Sequence, residues 1–210
     1  MKFALHNGER KEAATNLKGA LCPVCDAEVI AKCGNIKIHH WAHKSKKKCD
    51  HWWDTETQWH RDWKNEFPID WQEVVHTSKT GEKHIADVKL PKGLVVEFQH
   101  SPIKPEEILA RNNFYKNIIW IVDGTRRKND EKGLMQYIRV GKNSKLINEW
   151  GATGKIVFFD FGNPKLTYLT PDLMPLGDYM FRKFKKIDKK DLVRWIYNDN
   201  EGVQMELGLE

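Results

Sequence analysis

The stretch from His84 to Gln99, HIADVKLPKGLVVEFQ, constrains this chain more than any other. Two runs of alternating residues are joined by Pro91-Lys92-Gly93, which predicts a β-hairpin with a three-residue loop. Proline presets the entry to such a turn, and glycine suits its last, left-handed position. That loop pairs Leu90 with Leu94, and counting back along both arms pairs Asp87 with Glu97. Side chains alternate along a strand, so Asp87, Glu97 and Gln99 share one face. Two carboxylates directly opposite each other repel and weaken a sheet. A cation between them removes that penalty, so the hairpin predicts a divalent-metal site. The competing expectation is two acids that face solvent, separated by water.

Upstream, Cys22-Pro23-Val24-Cys25 is followed by His40-Trp41-Ala42-His43. Two Cys three apart bind one Zn²⁺ from a tight knuckle, and two His three apart complete a tetrahedron. This predicts a closed, structural zinc site made by Cys22, Cys25, His40 and His43. So small a module buries little apolar surface, and the metal would supply much of its folding free energy. Cys33, His39 and Cys49 lie close by and are further candidates; buried thiols and packing histidines are the plainer alternative. Four cysteines with no signal peptide and no long apolar run fit a reducing, cytoplasmic setting without a membrane. There, clustered Cys and His usually mean metal rather than disulfide.

Residues 55 to 67 read as a helix, with Thr55 and Gln58 as a capping box and Pro68 as its end. Trp59, Trp63 and Phe67 form its buried stripe. Glu56, His60 and Lys64 form a second, polar stripe, which is either a solvated ladder or one wall of a cleft. A strand is expected within 69–80, then the hairpin. A second helix runs from Pro105 to Tyr115, with proline at its first position and Glu106-Glu107 at its positive end. Ile118 to Val122 is an apolar strand covered on both sides. Strand, helix and strand in this span imply a right-handed crossover and parallel pairing. Tyr137–Val140 and Ile156–Phe161 are further strands. From Pro164 the chain reads as irregular, with Pro171 and Pro175 as breakers, then a basic tract from Lys183 to Lys190 and a short helix over Leu192–Tyr197. Residues 1–20 leave strand and helix both open.

Asp87, Glu97 and Glu56 are oxygen ligands suited to Mg²⁺ or Mn²⁺ rather than Zn²⁺. Such a site keeps open positions for water and a phosphate oxygen. Gln99 can orient that water but, being neutral, cannot supply the charge a lysine would. Lys89, on the face of Asp87, and Lys64, on the Glu56 stripe, are candidates to replace it. A formal charge of +6 favours a polyanionic partner. Lys44 to Lys48, KSKKK, is either a solvated run or a phosphate contact.

Taken together, CPVC, HHWAH, ETQWHRDWK, HIADVKL, VVEFQHSPI, RNNFY and IIWIVDG resemble the competence protein CoiA-like nucleases, a branch of the PD-(D/E)xK phosphodiesterase superfamily. The resemblance runs from about Ala13 to Phe161. It implies an α/β (α+β) fold: a nuclease core with a central mixed sheet flanked by helices, and a small N-terminal zinc-binding module. The domains would be a zinc-finger-like module at 1–50, the core at 51–163, and a basic C-terminal extension packing on the core at 164–210. It further implies Asp87 and Glu97 as metal ligands, Glu56 as an accessory ligand, and Gln99 in the place of the superfamily lysine. His60 would line the site, while Ser101 and Arg111 would support it or contact DNA. The expected activity is Mg²⁺- or Mn²⁺-dependent hydrolysis of DNA, and a homodimer would serve cutting of both strands. The alternative is a non-catalytic DNA-binding or recombination-mediator protein on a nuclease scaffold.

Overall fold

A computed structural model describes the chain except for residues 46–48, 53–54, 128–136, 140–148, 151–152, 177–178 and 199–210. The chain divides into two compact units, Met1–Lys89 and Leu90–Glu210.

In the first unit, β1 (Phe3–His6), β2 (Glu9–Glu12), β3 (Ala20–Leu21), β4 (Glu28–Lys32) and β5 (His40–His43) form a five-stranded sheet in the order β2-β1-β3-β4-β5. Its pairings are antiparallel. The opening residues resolve to a hairpin, because Asn7 and Gly8 take the two positive φ angles, 52° and 79°, that a tight hairpin turn needs. Met1, Ala4, Ala20, Cys22, Val29 and Trp41 form a small core. Helix α1 (Gln58–Lys64) is shorter than expected and is capped at Thr57, not Thr55. Trp63 and Phe67 are buried as expected. A 3₁₀ turn, Ile69–Trp71, leads into β6 (Gln72–Thr77), which pairs antiparallel with β7 (Lys83–Lys89).

The second unit comprises β8 (Val95–Gln99), α2 (Pro105–Tyr115), β9 (Ile118–Asp123), β10 (Tyr137–Arg139), β11 (Ile156–Asp160), β12 (Lys165–Leu176), β13 (Tyr179–Asp188) and α3 (Lys189–Asn198). Its strands form a mixed sheet in the order β10-β13-β12-β11-β9-β8. Strand β9 lies parallel to both β8 and β11, so every residue of it is buried and its unbroken apolar run is explained. The parallel β8–β9 pair with α2 between them is the expected crossover.

The stretch after Pro164 corrects the sequence reading, since β12 and β13 make a long antiparallel hairpin there. Proline lacks an N–H and is tolerated in sheets at bulges or on edges free of ladder bonds. Pro171 falls in the register shift between Leu169 and Leu173, and Pro175 lies past the residues that β12 pairs with β11. Helix α3 starts at Lys189, earlier than expected, and buries Leu192 and Ile196. Among the described residues no helix is long and apolar enough to cross a membrane. Within KSKKK, Lys46–Lys48 lie outside the described residues, and Lys44 pairs with Glu28 at 3.0 Å on the surface.

Candidate metal centre and acidic site

Cys22, Cys25, His43 and Cys49 bring one ligand atom each to within 4.8 Å of one another. The sulfurs of Cys22 and Cys49 are 3.6 Å apart, and His43 Nε2 lies 3.4 Å from Cys25 Sγ and 3.5 Å from Cys49 Sγ. A tetrahedral Zn²⁺ with bonds of about 2.0–2.3 Å sets its donors roughly 3.4–3.8 Å apart, so the group fits zinc. Burial pushes the Cys22 thiol up, and burial with the neighbouring Cys22 pushes Cys49 up further. Without a cation these sulfurs stay protonated; a bound metal supplies the charge that makes them thiolates. Burial lowers His43, which favours the neutral imidazole a metal requires.

The fourth member is Cys49, not His40. His40 and His43 lie on strand β5, where residues three apart point to opposite faces. His40 instead sets Nδ1 2.9 Å from the Ile38 carbonyl oxygen. Reading HWAH as a strand would have separated the two histidines and directed attention to Cys49.

In the same unit Asp87, Glu56 and Glu73 converge on Lys64. Its Nζ lies 3.0 Å from Asp87 Oδ1, 3.0 Å from Glu73 Oε1 and 3.2 Å from Glu56 Oε1, with the lysine side chain 5% exposed. Burial alone would depress Lys64, but Asp87, Glu73 and Glu56 outweigh it and hold the ammonium charged well above its ordinary range. Glu56 precedes the helix instead of riding on it, and it also takes Arg61 Nη2 at 2.6 Å. The expected helical ladder is therefore replaced by a chain entry that folds Glu56 back over α1. His60 is committed to the cap: its Nδ1 accepts the Thr57 N–H at 3.2 Å.

Glu73 gave no sequence signal. The register of Gln72 with Val88 and Val74 with Ala86 sets it across from Asp87. It takes a left-handed φ of 45°, costly for a side chain of this kind. Its carboxylate accepts the Lys2 N–H at 2.7 and 2.9 Å and the Phe3 N–H at 3.2 Å, besides Lys64. Despite burial, which opposes ionisation, Lys64 and the chain's N-terminus pull its carboxyl down to about 2. Asp87 and Glu73, opposed across the β6–β7 pair, thus share one buried cation, Lys64. Of the two lysines considered, Lys64 meets Asp87, while half-buried Lys89 lies close enough to His76 to depress it, after burial.

In the second unit the turn closes as expected. Leu90 N–H donates to Leu94 O and Gly93 N–H to Leu90 O, both at 2.9 Å, with Gly93 at φ 95°. Glu97 and Gln99 are 3% and 6% exposed. Arg111, from α2, donates Nη1 to Glu97 Oε2 at 3.0 Å and Nε to Glu107 Oε1 at 3.1 Å. Gln99 donates its amide to the Ser101 carbonyl at 2.8 Å, so the contact with Ser101 is to its backbone.

A family model described as competence protein CoiA, N-terminal domain, matches residues 5–51, and one described as competence protein CoiA, nuclease-like domain, matches residues 83–180. The first spans Cys22 to Cys49, and the second spans Asp87, Glu97, Gln99 and Arg111. No curated protein and no solved structure matches.

Proposed function

The chain belongs to the competence protein CoiA family and carries its nuclease-like domain, and on that premise we propose that it is a metal-dependent nuclease hydrolysing phosphodiester bonds in DNA. The observation that carries this is the meeting of Glu56 and Asp87, from separate elements, at one buried ammonium. Asp87 and Glu97, with Glu56 as accessory, would hold Mg²⁺ or Mn²⁺, the ions suited to an all-carboxylate donor set. Bound there, the ion would polarise a phosphate oxygen and sharpen a water as nucleophile. Arg111 holds Glu97 in place by donating to its Oε2. Gln99 donates through its amide nitrogen to Ser101, and its amide oxygen would orient the attacking water by accepting a hydrogen bond from it. Lys64 brings beside Asp87 the positive charge that Gln99 lacks, where it stabilises charge building on the phosphate. The net positive charge and the surface lysines favour the polyanionic substrate.

The test is incubation of the purified protein with linear, circular and single-stranded DNA in Mn²⁺, Mg²⁺ or EDTA. Cleavage that EDTA stops and that Asp87→Asn or Glu97→Gln abolishes supports the proposal. Full activity in both variants sinks it.

One observation favours a second reading. Asp87 is paired with Lys64 and Glu97 with Arg111, so each acid has a cation partner within the protein itself. A non-catalytic DNA-binding or recombination-mediator protein would need nothing more. It predicts salt-sensitive DNA binding in EDTA and no cleavage of any substrate form.

A further inference from the structure

Asp50 follows the metal-centre residue Cys49 directly and is itself buried. Its carboxylate is fully used: Oδ1 accepts the Trp52 N–H at 2.9 Å and faces His84 Nδ1 at 2.8 Å, and Oδ2 accepts the Ile85 N–H at 3.0 Å. Two of those three contacts are to β7, the strand on which Asp87 lies two residues beyond Ile85, on the same face. Trp52 closes over the junction, its ring stacked on that of His84 with centroids 3.4 Å apart. Glu82 Oε1 meets the other side of the imidazole at 2.9 Å. A second, apolar link runs in parallel, since Ile85 packs on the small core that includes Cys22 and touches Cys49.

We propose that Asp50 is a positioning residue that couples the Cys22–Cys25–His43–Cys49 centre to the strand bearing Asp87, so that metal in the first holds the second in place. A bound ion fixes the backbone of Cys49, and Asp50 passes that constraint to His84 and Ile85. Loss of the ion frees Cys49, loosens the Asp50 clamp and lets the Asp87 carboxylate drift from Lys64. The zinc module thereby acts on the acidic site, and by reciprocity a metal held by Asp87 tightens zinc. The consequence for Asp87 as a metal ligand rests on the nuclease proposal; the coupling of zinc to β7 does not.

The full chain, zinc-loaded, tests this by amide hydrogen exchange with Asp50→Ala and Asp50→Asn beside the natural sequence, and metal analysis confirming that the centre stays filled. A hydrogen bond to a buried charge is worth enough that the Ile85 amide should exchange about 10- to 100-fold faster in Asp50→Ala. Asp50→Asn, which keeps an oxygen acceptor of the same size, should recover part of the protection. Chelating zinc from the natural protein should speed Ile85 in the same way, and in zinc-stripped Asp50→Ala the two effects should not add. Mn²⁺ affinity, read by titration calorimetry, should fall about tenfold in zinc-loaded Asp50→Ala. Unchanged Ile85 exchange in the filled variant overturns the coupling. So do fully additive effects. Failure of Mn²⁺ to bind the natural protein at all counts against the nuclease proposal and leaves the exchange result to judge the coupling alone.

Discussion

Replacing Lys64 with methionine removes an ammonium and keeps most of the side chain's volume. The three carboxylate contacts lie at 3.0, 3.0 and 3.2 Å. At an effective dielectric near 20, each such contact is worth about 5 kcal/mol before desolvation. Desolvating lysine and acids in the interior costs several kcal/mol per ion, so the gross sum does not survive. What remains is the penalty of leaving buried acids unpaired, about 3–5 kcal/mol. Against a domain stability of roughly 5–15 kcal/mol, that brings the protein near the edge of folding. Urea unfolding at pH 7 should show the unfolding free energy lowered by that amount, read as a lower midpoint with the slope unchanged. The deficit should shrink as pH falls, because protonation relieves carboxylates left without their cation. A Lys64→Met protein within about 0.5 kcal/mol of the natural one would refute the view of Lys64 as the cation that holds this cluster together.

Glu73, drawn down to about 2, gives stability that is present above its unfolded value of 4.5 and lost as pH falls toward 2. Stability measured from pH 6 to 2 should therefore decline on the acid side by an amount on the order of 3 kcal/mol, and Glu73→Gln should flatten that decline. At the metal centre, Cys49→Ala should cut bound zinc sharply, whereas His40→Ala should leave one equivalent per chain, as metal analysis would show. Gly93→Val should destabilise the turn by about 1–2 kcal/mol through its left-handed backbone, measured by the same unfolding assay.

What could be read from the sequence was local. Helix α2 begins at Pro105 and ends at Tyr115 as expected, because its proline and paired glutamates mark its first turn from neighbouring residues alone. The Leu90–Leu94 closure follows from a three-residue loop in the same way. The errors involve relations that local pattern does not carry. His40 and His43 have a spacing that suits a helix, but the pair lies on a strand. Thr57 and Thr55 both offer a cap, and the later one is marked by its reciprocal bonds with His60, a partner the Ser/Thr-x-x-Glu/Gln pattern does not include. Glu73 looks like an ordinary surface acid until the β6–β7 register and the N-terminal strand close around it. The β12–β13 hairpin was hidden because prolines argue against strands, and whether a given N–H is needed depends on pairing partners that are distant in sequence. Of the three acids expected at the site, Asp87, Glu97 and Glu56, the structure brings Glu56 and Asp87 together at a lysine, with Glu73 beside them.

The most direct measurement is titration of the zinc-loaded protein with Mn²⁺, following one-site binding by calorimetry or by the loss of free-ion electron paramagnetic resonance signal. The natural protein should bind one ion that Asp87→Asn and Glu97→Gln each lose, with zinc content and fold retained. Equal Mn²⁺ binding by all three proteins, or none by any of them, would contradict a catalytic ion held by Asp87 and Glu97.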